Sequence, residues 1–300
     1  MKAAVYIKRG SGKVLEVVDL PVPTPKDNEV LIKVCAASVN PLDWRLKSPR
    51  PGVDVAGRVE AVGPRVTGFK SGDEVFGLGK GTFAEYACVS ESKLARKTPA
   101  IPFVQAAAIP IAGLTALQAL RDIGHLKSGQ NVVINGAAGG VGTFSVQIAK
   151  SMGALVTAVC STKNLDQSRA LGADRVIDYT RDDFITDEQF YDIVLDNVGN
   201  RPLRALKRLL TAHGKCVMVG APKAMGRVLA RILEAMVRPR FTFFIAKMKK
   251  EDLEALSILI QTGRVTPAID KCYPLSDAAA AIAYVETGHA RGKVMINIEA

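Results

Sequence analysis

The 300-residue chain has no CxxC pair and no cluster of cysteines. Its five cysteines, Cys35, Cys88, Cys160, Cys216 and Cys272, are odd in number and far apart. That spacing excludes both a disulfide framework and a four-cysteine structural zinc loop, and leaves the thiols as small buried hydrophobes. No apolar run approaches the roughly twenty residues of a membrane span. The start, MKAAVYIKRG, lacks the apolar centre of a signal peptide, so the expectation is a soluble, cytoplasmic protein. Repeats and low-complexity tracts are absent too, which excludes solenoids and disordered arrays.

Acidic charge is also scarce. The formal net charge is +11, and it is concentrated between Lys223 and Lys250. There Lys223, Arg227, Arg231, Arg238, Arg240, Lys247, Lys249 and Lys250 face Glu234 alone. Leu229, Ile232, Leu233 and Met236 fall on one helical face of that window. A basic amphipathic segment suits an anionic cofactor edge, a polyanion or an acidic membrane surface. Weak peripheral contact with anionic membrane is carried forward as one expectation, and no specific nucleic-acid partner is expected.

What is present is organised around Asn131 to Lys150, NVVINGAAGGVGTFSVQIAK. Val132, Val133 and Ile134 make a β-branched run of the kind that forms a strand covered on both faces. Small residues follow at once, and from Gly140 the spacing of Val141, Phe144 and Ile148 predicts an amphipathic helix. The turn reads A-x-G-x-x-G, with Ala137, Gly139 and Gly142 in the three positions. Such positions make a tight turn, admit a pyrophosphate and let helix and strand pack closely. The amides of Ala138, Gly139, Gly140 and Val141 then lie at a positive helix end suited to a diphosphate.

A dinucleotide site for NAD places an acid roughly twenty residues further on, at the end of the next strand, to bind the ribose hydroxyls. Here the strand LVTAVC ends in Ser161, Thr162, Lys163 and Asn164, and no carboxylate precedes Asp166. Hydroxyls and a lysine welcome a 2′-phosphate, so the expected cofactor is NADPH.

Length favours two domains. Residues 1–108 read as short strands separated by Gly, Pro and Asp turns, which points to a small β-barrel or sandwich. A helix, IAGLTALQALRDIG, follows and is expected to close at Gly124. Beyond the glycine turn, strands and helices alternate as far as GKCVMVG, which demands a parallel sheet. FTFFIA reads as a further strand and DLEALSILIQTG as an amphipathic helix. The tail holds one helix and a last strand, expected to return to the first domain.

The residues INGAAGGVGTFSVQIAK, AVCSTKN, LGADRVIDY, LDNVGN and GHARGKVMINI, together with ASVNPLDW and GDEVFG in that order along the chain, resemble the zinc-free branch of the medium-chain dehydrogenase/reductase superfamily. The resemblance spans nearly the whole chain and is closest to the quinone-oxidoreductase-like members. It implies an α/β protein with a GroES-like β-barrel domain from residues 1–108 and 265–300, and a Rossmann doubly wound parallel sheet at 109–264. It places Gly140 and Val141 at the diphosphate, Ser161, Lys163 and Tyr179 at the adenosine phosphate, and Asn197, Val198, Val219 and Gly220 near the nicotinamide. His289, Ala290 and Arg291 are implied to reach the cofactor from the other domain.

The same resemblance locates the positions that hold catalytic zinc in the alcohol-dehydrogenase branch. They are Asn40, Val53 and a site near Ile111, and valine and isoleucine offer no nitrogen or thiolate donor, so no metal is expected. Hydride delivery to an electron-poor alkene or quinone needs little beyond positioning, which makes reduction of a quinone, enone or related carbonyl compound the expected reaction. Asn40 either donates to the substrate carbonyl or holds the nicotinamide ribose; Asp43 orders the same loop; Thr115 matches a position beside the nicotinamide. Each also has a plainer reading, a turn around Pro41 for the first two and an interior helix hydroxyl for the third. Between Asp43 and Gly52 the connecting loop, WRLKSPRP, is shorter than in relatives. The alternative to catalysis is an NADPH-binding protein acting through its basic segment. A homodimer is expected, with the FTFFIA strand pairing across the subunits.

Overall fold

The computed structural model describes residues 1–10, 12–45, 48–219 and 239–299. Gly220 and the basic amphipathic stretch 223–238, on which the membrane expectation rests, lie outside the described residues. The chain divides into two units, one comprising Met1–Leu114, Met248–Gly263 and Pro267–Ala300, the other Thr115–Lys247 and Arg264–Thr266.

The first unit opens with a hairpin of β1 (Lys2–Arg9) and β2 (Gly12–Asp19). β3 (Glu29–Val39) follows, with Lys33 its one exposed residue. That near-continuous burial arises because β3 is paired along its length, to β4 (Asp54–Val62) on one side and to β6 (Tyr86–Ser90) and the last strand of the chain on the other. A single-turn helix, α1 (Leu42–Arg45), leads away from the end of β3. β5 (Glu74–Leu78) and β7 (Leu94–Arg96) complete the early strands, and α2 (Phe103–Ala108) and α3 (Pro110–Gln118) follow.

The second unit is a parallel sheet. β8 (Asn131–Asn135), β9 (Leu155–Cys160), β10 (Arg175–Asp178), β11 (Tyr191–Asp196), β12 (Leu210–Met218) and β13 (Phe241–Phe243) are ordered β10-β9-β8-β11-β12-β13. Read from β8, this is the 3-2-1-4-5-6 order of the doubly wound dinucleotide-binding sheet, with its switch point between β8 and β11. The connecting helices are α4 (Gly140–Ser151), α5 (Leu165–Ala170) and α6 (Leu203–Arg208). Val133, Val159, Val194, Leu206 and Met218 share one buried cluster across the sheet. Gly153 and Gly172 end their helices at φ 81° and 99°, the left-handed region that only glycine enters at no steric cost.

The chain then returns to the first unit through α7 (Lys250–Gln261), β14 (Ile269–Pro274), α8 (Ala278–Glu286) and β15 (Lys293–Asn297). β15 pairs antiparallel with β3 and completes the sheet β14-β15-β3-β4-β5-β7. α7 groups with this unit rather than with the 109–264 segment to which its sequence position assigned it. The reason is packing: Leu253 and Leu256 are buried, and the Lys250 ammonium stacks 5.5 Å from the Phe69 ring centroid.

The helix after Ile109 widens into a π-helical turn, Ala119–Gly124, and ends at Gly124 as expected, with His125 in the left-handed conformation at φ 55°. A Cβ at 124 would meet the end of the Ile193 side chain, which must shift to admit it. FTFFIA forms a strand as expected, at Phe241–Phe243, where β13 pairs in parallel with β12 as the terminal strand of its sheet. No helix among the described residues is long and apolar enough to cross a membrane.

Candidate functional site

In the second unit the C-terminal ends of the strands carry the turn after β8. Gly136 has φ 80°, and its carbonyl accepts the Gly139 amide at 3.2 Å, which bends the chain sharply into α4. Gly142 packs so closely on this bend that a Cβ would run into the Gly136 carbonyl and the Ala137 backbone. Gly139 is the N-cap of α4 and no side chain caps the helix. The first-turn amides therefore have no partner inside the helix, and their partial positive charge is directed out of its N-terminus.

Beside this turn, at the end of β11, Asp196 is fully buried and its Oδ1 accepts from Asn135 Nδ2 (2.9 Å), Val198 N (3.2 Å) and Gly199 N (3.0 Å). Those bonds fold the 197–199 loop back over the strand end. Next to it, Asn197 buries both its Oδ1 and its Nδ2 without any hydrogen-bond partner. Leaving a buried amide unpaired costs about 1–3 kcal/mol per group, so such an atom in a strand-end crevice marks a place where a polar ligand fits. Asp196 and Asn135 were not singled out from sequence, although a carboxylate closing an apolar strand was the available signal.

At the ends of β9 and β10, Ser161, Lys163 and Tyr179 come together. Tyr179 is 47% exposed and its amide bonds to the Cys160 carbonyl, so it sits at the neighbouring strand end from Ser161. Ser161 Oγ accepts from Asn164 Nδ2 at 3.1 Å, and Lys163 is exposed. A carboxylate is present here after all. The parallel register sets Asp178 opposite Cys160, where it accepts from the hydroxyls of Thr162 (2.6 Å) and Thr180 (2.7 Å). These bonds, Thr162 first, hold the Asp178 carboxyl below its ordinary range. Its oxygens are engaged in tying the two loops together.

Of the remaining residues in this unit, Thr115 is buried within α3, and Val219 donates its amide to the Asp196 carbonyl at 3.0 Å.

In the first unit, Asn40 and Asp43 belong to a buried polar cluster that sequence reasoning saw only in part. Asp54 is fully buried: Oδ2 accepts from Ser38 Oγ (2.5 Å) and Asn40 Nδ2 (2.8 Å), and Oδ1 from Ile111 N (2.9 Å). Lys293, 2% exposed, donates to Asn40 Oδ1 at 2.7 Å and lies 3.4 Å from Asp54 Oδ2 and from the Val39 carbonyl. Burial pushes the Lys293 ammonium below its ordinary pKa. Asn40 gives its second amide hydrogen to the Ser38 carbonyl. Both its donors are thus spent inside the unit, an arrangement that serves the turn rather than donation to a substrate.

Asp43 receives Asn40 N (2.6 Å) and Gly52 N (3.0 Å), clasping the two ends of the short 41–51 loop. Burial is the chief cause that pushes its carboxyl up to about 7. His289, Ala290 and Arg291 lie in the connection between α8 and β15. Arg291 N donates to Asp270 Oδ2 (2.8 Å) and His289 N to Thr287 Oγ (3.3 Å).

Val53 and Ile111 offer only aliphatic side chains at the positions aligned with zinc ligands, and Ile111 takes part through its amide. Among the described residues, no group of three His, Cys, Asp or Glu side chains is placed to hold a metal ion.

Comparison with known proteins matches residues 26–100 to the alcohol dehydrogenase GroES-like domain and residues 171–296 to the family described as zinc-binding dehydrogenase. The chloroplast envelope quinone oxidoreductase homolog of Arabidopsis thaliana is 36% identical over 99% of this chain and 98% of its own length. The chloroplastic NADPH-dependent alkenal/one oxidoreductase of the same plant is 35% identical over 99% of this chain and 79% of its own. Among solved structures, the quinone oxidoreductase of Coxiella burnetii superposes with a TM-score of 0.89 at 34% identity, covering 99% of both chains. A mycobacterial protein in complex with NADPH gives 0.83 at 28% identity, covering 99% of this chain and 100% of that one. With the fold, the glycine turn and relatives matched end to end, the chain belongs to the medium-chain dehydrogenase/reductase superfamily, beside its quinone-oxidoreductase members.

Proposed function

We propose that the protein is an NADPH-dependent, zinc-independent oxidoreductase that reduces the carbon–carbon double bond of an enone or the ring of a quinone. The single observation that carries this reading is the second unit's strand-end crevice. It combines an uncapped helix N-terminus behind Gly139, the unpartnered Asn197 carboxamide, and the Ser161, Lys163 and Tyr179 group at the next strand ends. This donor set fits a dinucleotide phosphate. The amides of Gly140 and Val141 would meet the diphosphate, Lys163 and Ser161 a 2′-phosphate, and Asn197 a polar group at the nicotinamide end. NADPH supplies the hydride.

The protein's own contribution is orientation. Asp196 and Asn135 fix the 197–199 loop, and Asp178 fixes the spacing between the Thr162 and Thr180 loops. The zinc-independent part of the proposal rests on donor chemistry, because neither Val53 nor Ile111 has a side-chain ligand atom. The names of relatives that act on quinones and on alkenals or alkenones support the acceptor class. A homodimer belongs to the same proposal: β13 ends its sheet, and Ile245 just beyond it is 76% exposed.

The test records at 340 nm both NADPH oxidation with a panel of enones and quinones and NADP+ reduction with simple alcohols, each with and without a chelator. Turnover of enones or quinones, undiminished by the chelator, is the expected result. Turnover confined to alcohol oxidation, or abolished by chelation without unfolding, would refute the proposal.

A further inference from the structure

The buried cluster in the first unit contains the least ordinary charge in the described protein. Lys293 is a fully desolvated lysine, held on strand β15 among groups from three other segments. Its Nζ has three hydrogens and three acceptors: Asn40 Oδ1 at 2.7 Å, Val39 O at 3.4 Å and Asp54 Oδ2 at 3.4 Å. Asn40 is held from the other side by Asp54 and the Ser38 carbonyl. Every polar atom of the Asn40 carboxamide is therefore fixed by a group whose own position is set by a strand. Asn40 begins the turn into α1, and its amide is one of the two that Asp43 clasps.

A buried ion pair is a poor source of stability, since desolvating the two charges cancels most of their attraction. Replacing such a pair with neutral groups is often tolerated. Its better-attested use is to fix one arrangement among several, and here the arrangement fixed is that of the Asn40–Arg45 turn. The cluster also occupies the region of the aligned metal positions, because Asp54 bonds both Asn40 and the Ile111 amide.

Resting on the function proposed above, we propose that Lys293 is a positioning residue for the reduction. Its buried ammonium, through Asn40 and Asp54, holds the Asn40–Arg45 turn in the single orientation that substrate meets. It touches neither substrate nor cofactor, because all of its donors point inward.

The experiment compares wild type with Lys293→Arg, Lys293→Met and the double variant Lys293→Met/Asp54→Asn. Pairing the second substitution with the first removes the buried charge that Lys293→Met would leave unpaired. Four measurements are made: thermal unfolding, NADPH affinity, kcat and KM with the best enone or quinone, and exchange by NMR of the Asn40 and Gly52 backbone amide protons, which Asp43 holds across the turn. The expected result for the double variant is near wild-type unfolding and NADPH affinity, kcat at least tenfold lower with KM for NADPH within twofold, and loss of protection at these two amides. Lys293→Arg, which keeps the charge and the donors, should recover part of kcat.

A double variant with restored folding and wild-type kcat would show that Lys293 merely balances Asp54, and would overturn the proposal. So would a Lys293→Met variant that keeps the Asn40 and Gly52 backbone amides protected. If wild type reduces no acceptor while these amides are protected and the protection is lost in Lys293→Met, the functional reading fails and the hold of Lys293 on the turn stands.

Discussion

Removing the Asp196 carboxylate should loosen the proposed nicotinamide end of the crevice without touching the fold elsewhere. In Asp196→Ala, the amides of Val198 and Gly199 and the Asn135 side chain lose their common acceptor, Oδ1; water can reach the exposed Val198, and Asn135 Nδ2 keeps Asn200 Oδ1 at 3.1 Å, which leaves the buried Gly199 amide without an acceptor. An orphaned buried donor costs about 1–3 kcal/mol, so the loss of stability is of that order. Freeing the 197–199 loop also means that a ligand must order it again. At about 1–2 kcal/mol per residue fixed, partial release of the loop lowers NADPH affinity by about tenfold. Asp196→Asn is the control that isolates the cause, because all three bonds fall on one oxygen and an amide carbonyl can accept them in the same place. Urea unfolding followed at the second unit and fluorescence titration with NADPH read the two effects. The reasoning fails if Asp196→Ala binds NADPH as wild type does, or if Asp196→Asn is as damaged as Asp196→Ala.

Gly142→Ala forces a methyl against the Gly136 carbonyl; overpacking of about 1–3 kcal/mol should lower the melting temperature and NADPH affinity together. Lys163→Ala removes an exposed ammonium from the expected 2′-phosphate site, so NADPH affinity should fall about tenfold while NADH affinity is unchanged, as comparative titration would show. Asp43 keeps its proton up to about pH 7 in the native state, whereas the unfolded chain releases it near its ordinary value of 3.8. The native state then holds more protons between those values, so stability from this group falls as pH rises from about 4 to about 7, by about 4 kcal/mol, and is flat above. The charged and titratable groups facing it are Asp54, Lys293 and Tyr6. Urea unfolding across that pH range should show the slope in wild type and its loss in Asp43→Asn.

The parts of this protein legible in its sequence are those encoded by neighbours. The β8–α4 turn, the alternating strands and helices, and the left-handed glycines at 153 and 172 follow from local spacing and backbone sterics. The first unit's cluster does not, because Lys293 and Asn40 are 253 positions apart and meet only when β15 pairs with β3. Asp178 escaped notice for the same reason: it lies well past the end of β9 in sequence, and only parallel pairing sets it beside Thr162. Asn40 itself was visible, but not that both of its donors would be taken. α7 reads as a helix from its periodicity, yet periodicity says nothing about which unit its apolar face covers.

The central claim is hydride transfer from NADPH to an enone or a quinone, and deuterium tests it most directly on an enone. NADPH carrying deuterium at the transferring C4 position is incubated with the enzyme and an enone in ordinary water, and the product is analysed by mass spectrometry and NMR. One deuterium at the β-carbon, with the α-hydrogen drawn from solvent, is the result predicted by this account. Saturated product without deuterium at the β-carbon from either C4 epimer, or no reduced product from any enone or quinone in the panel, would contradict it.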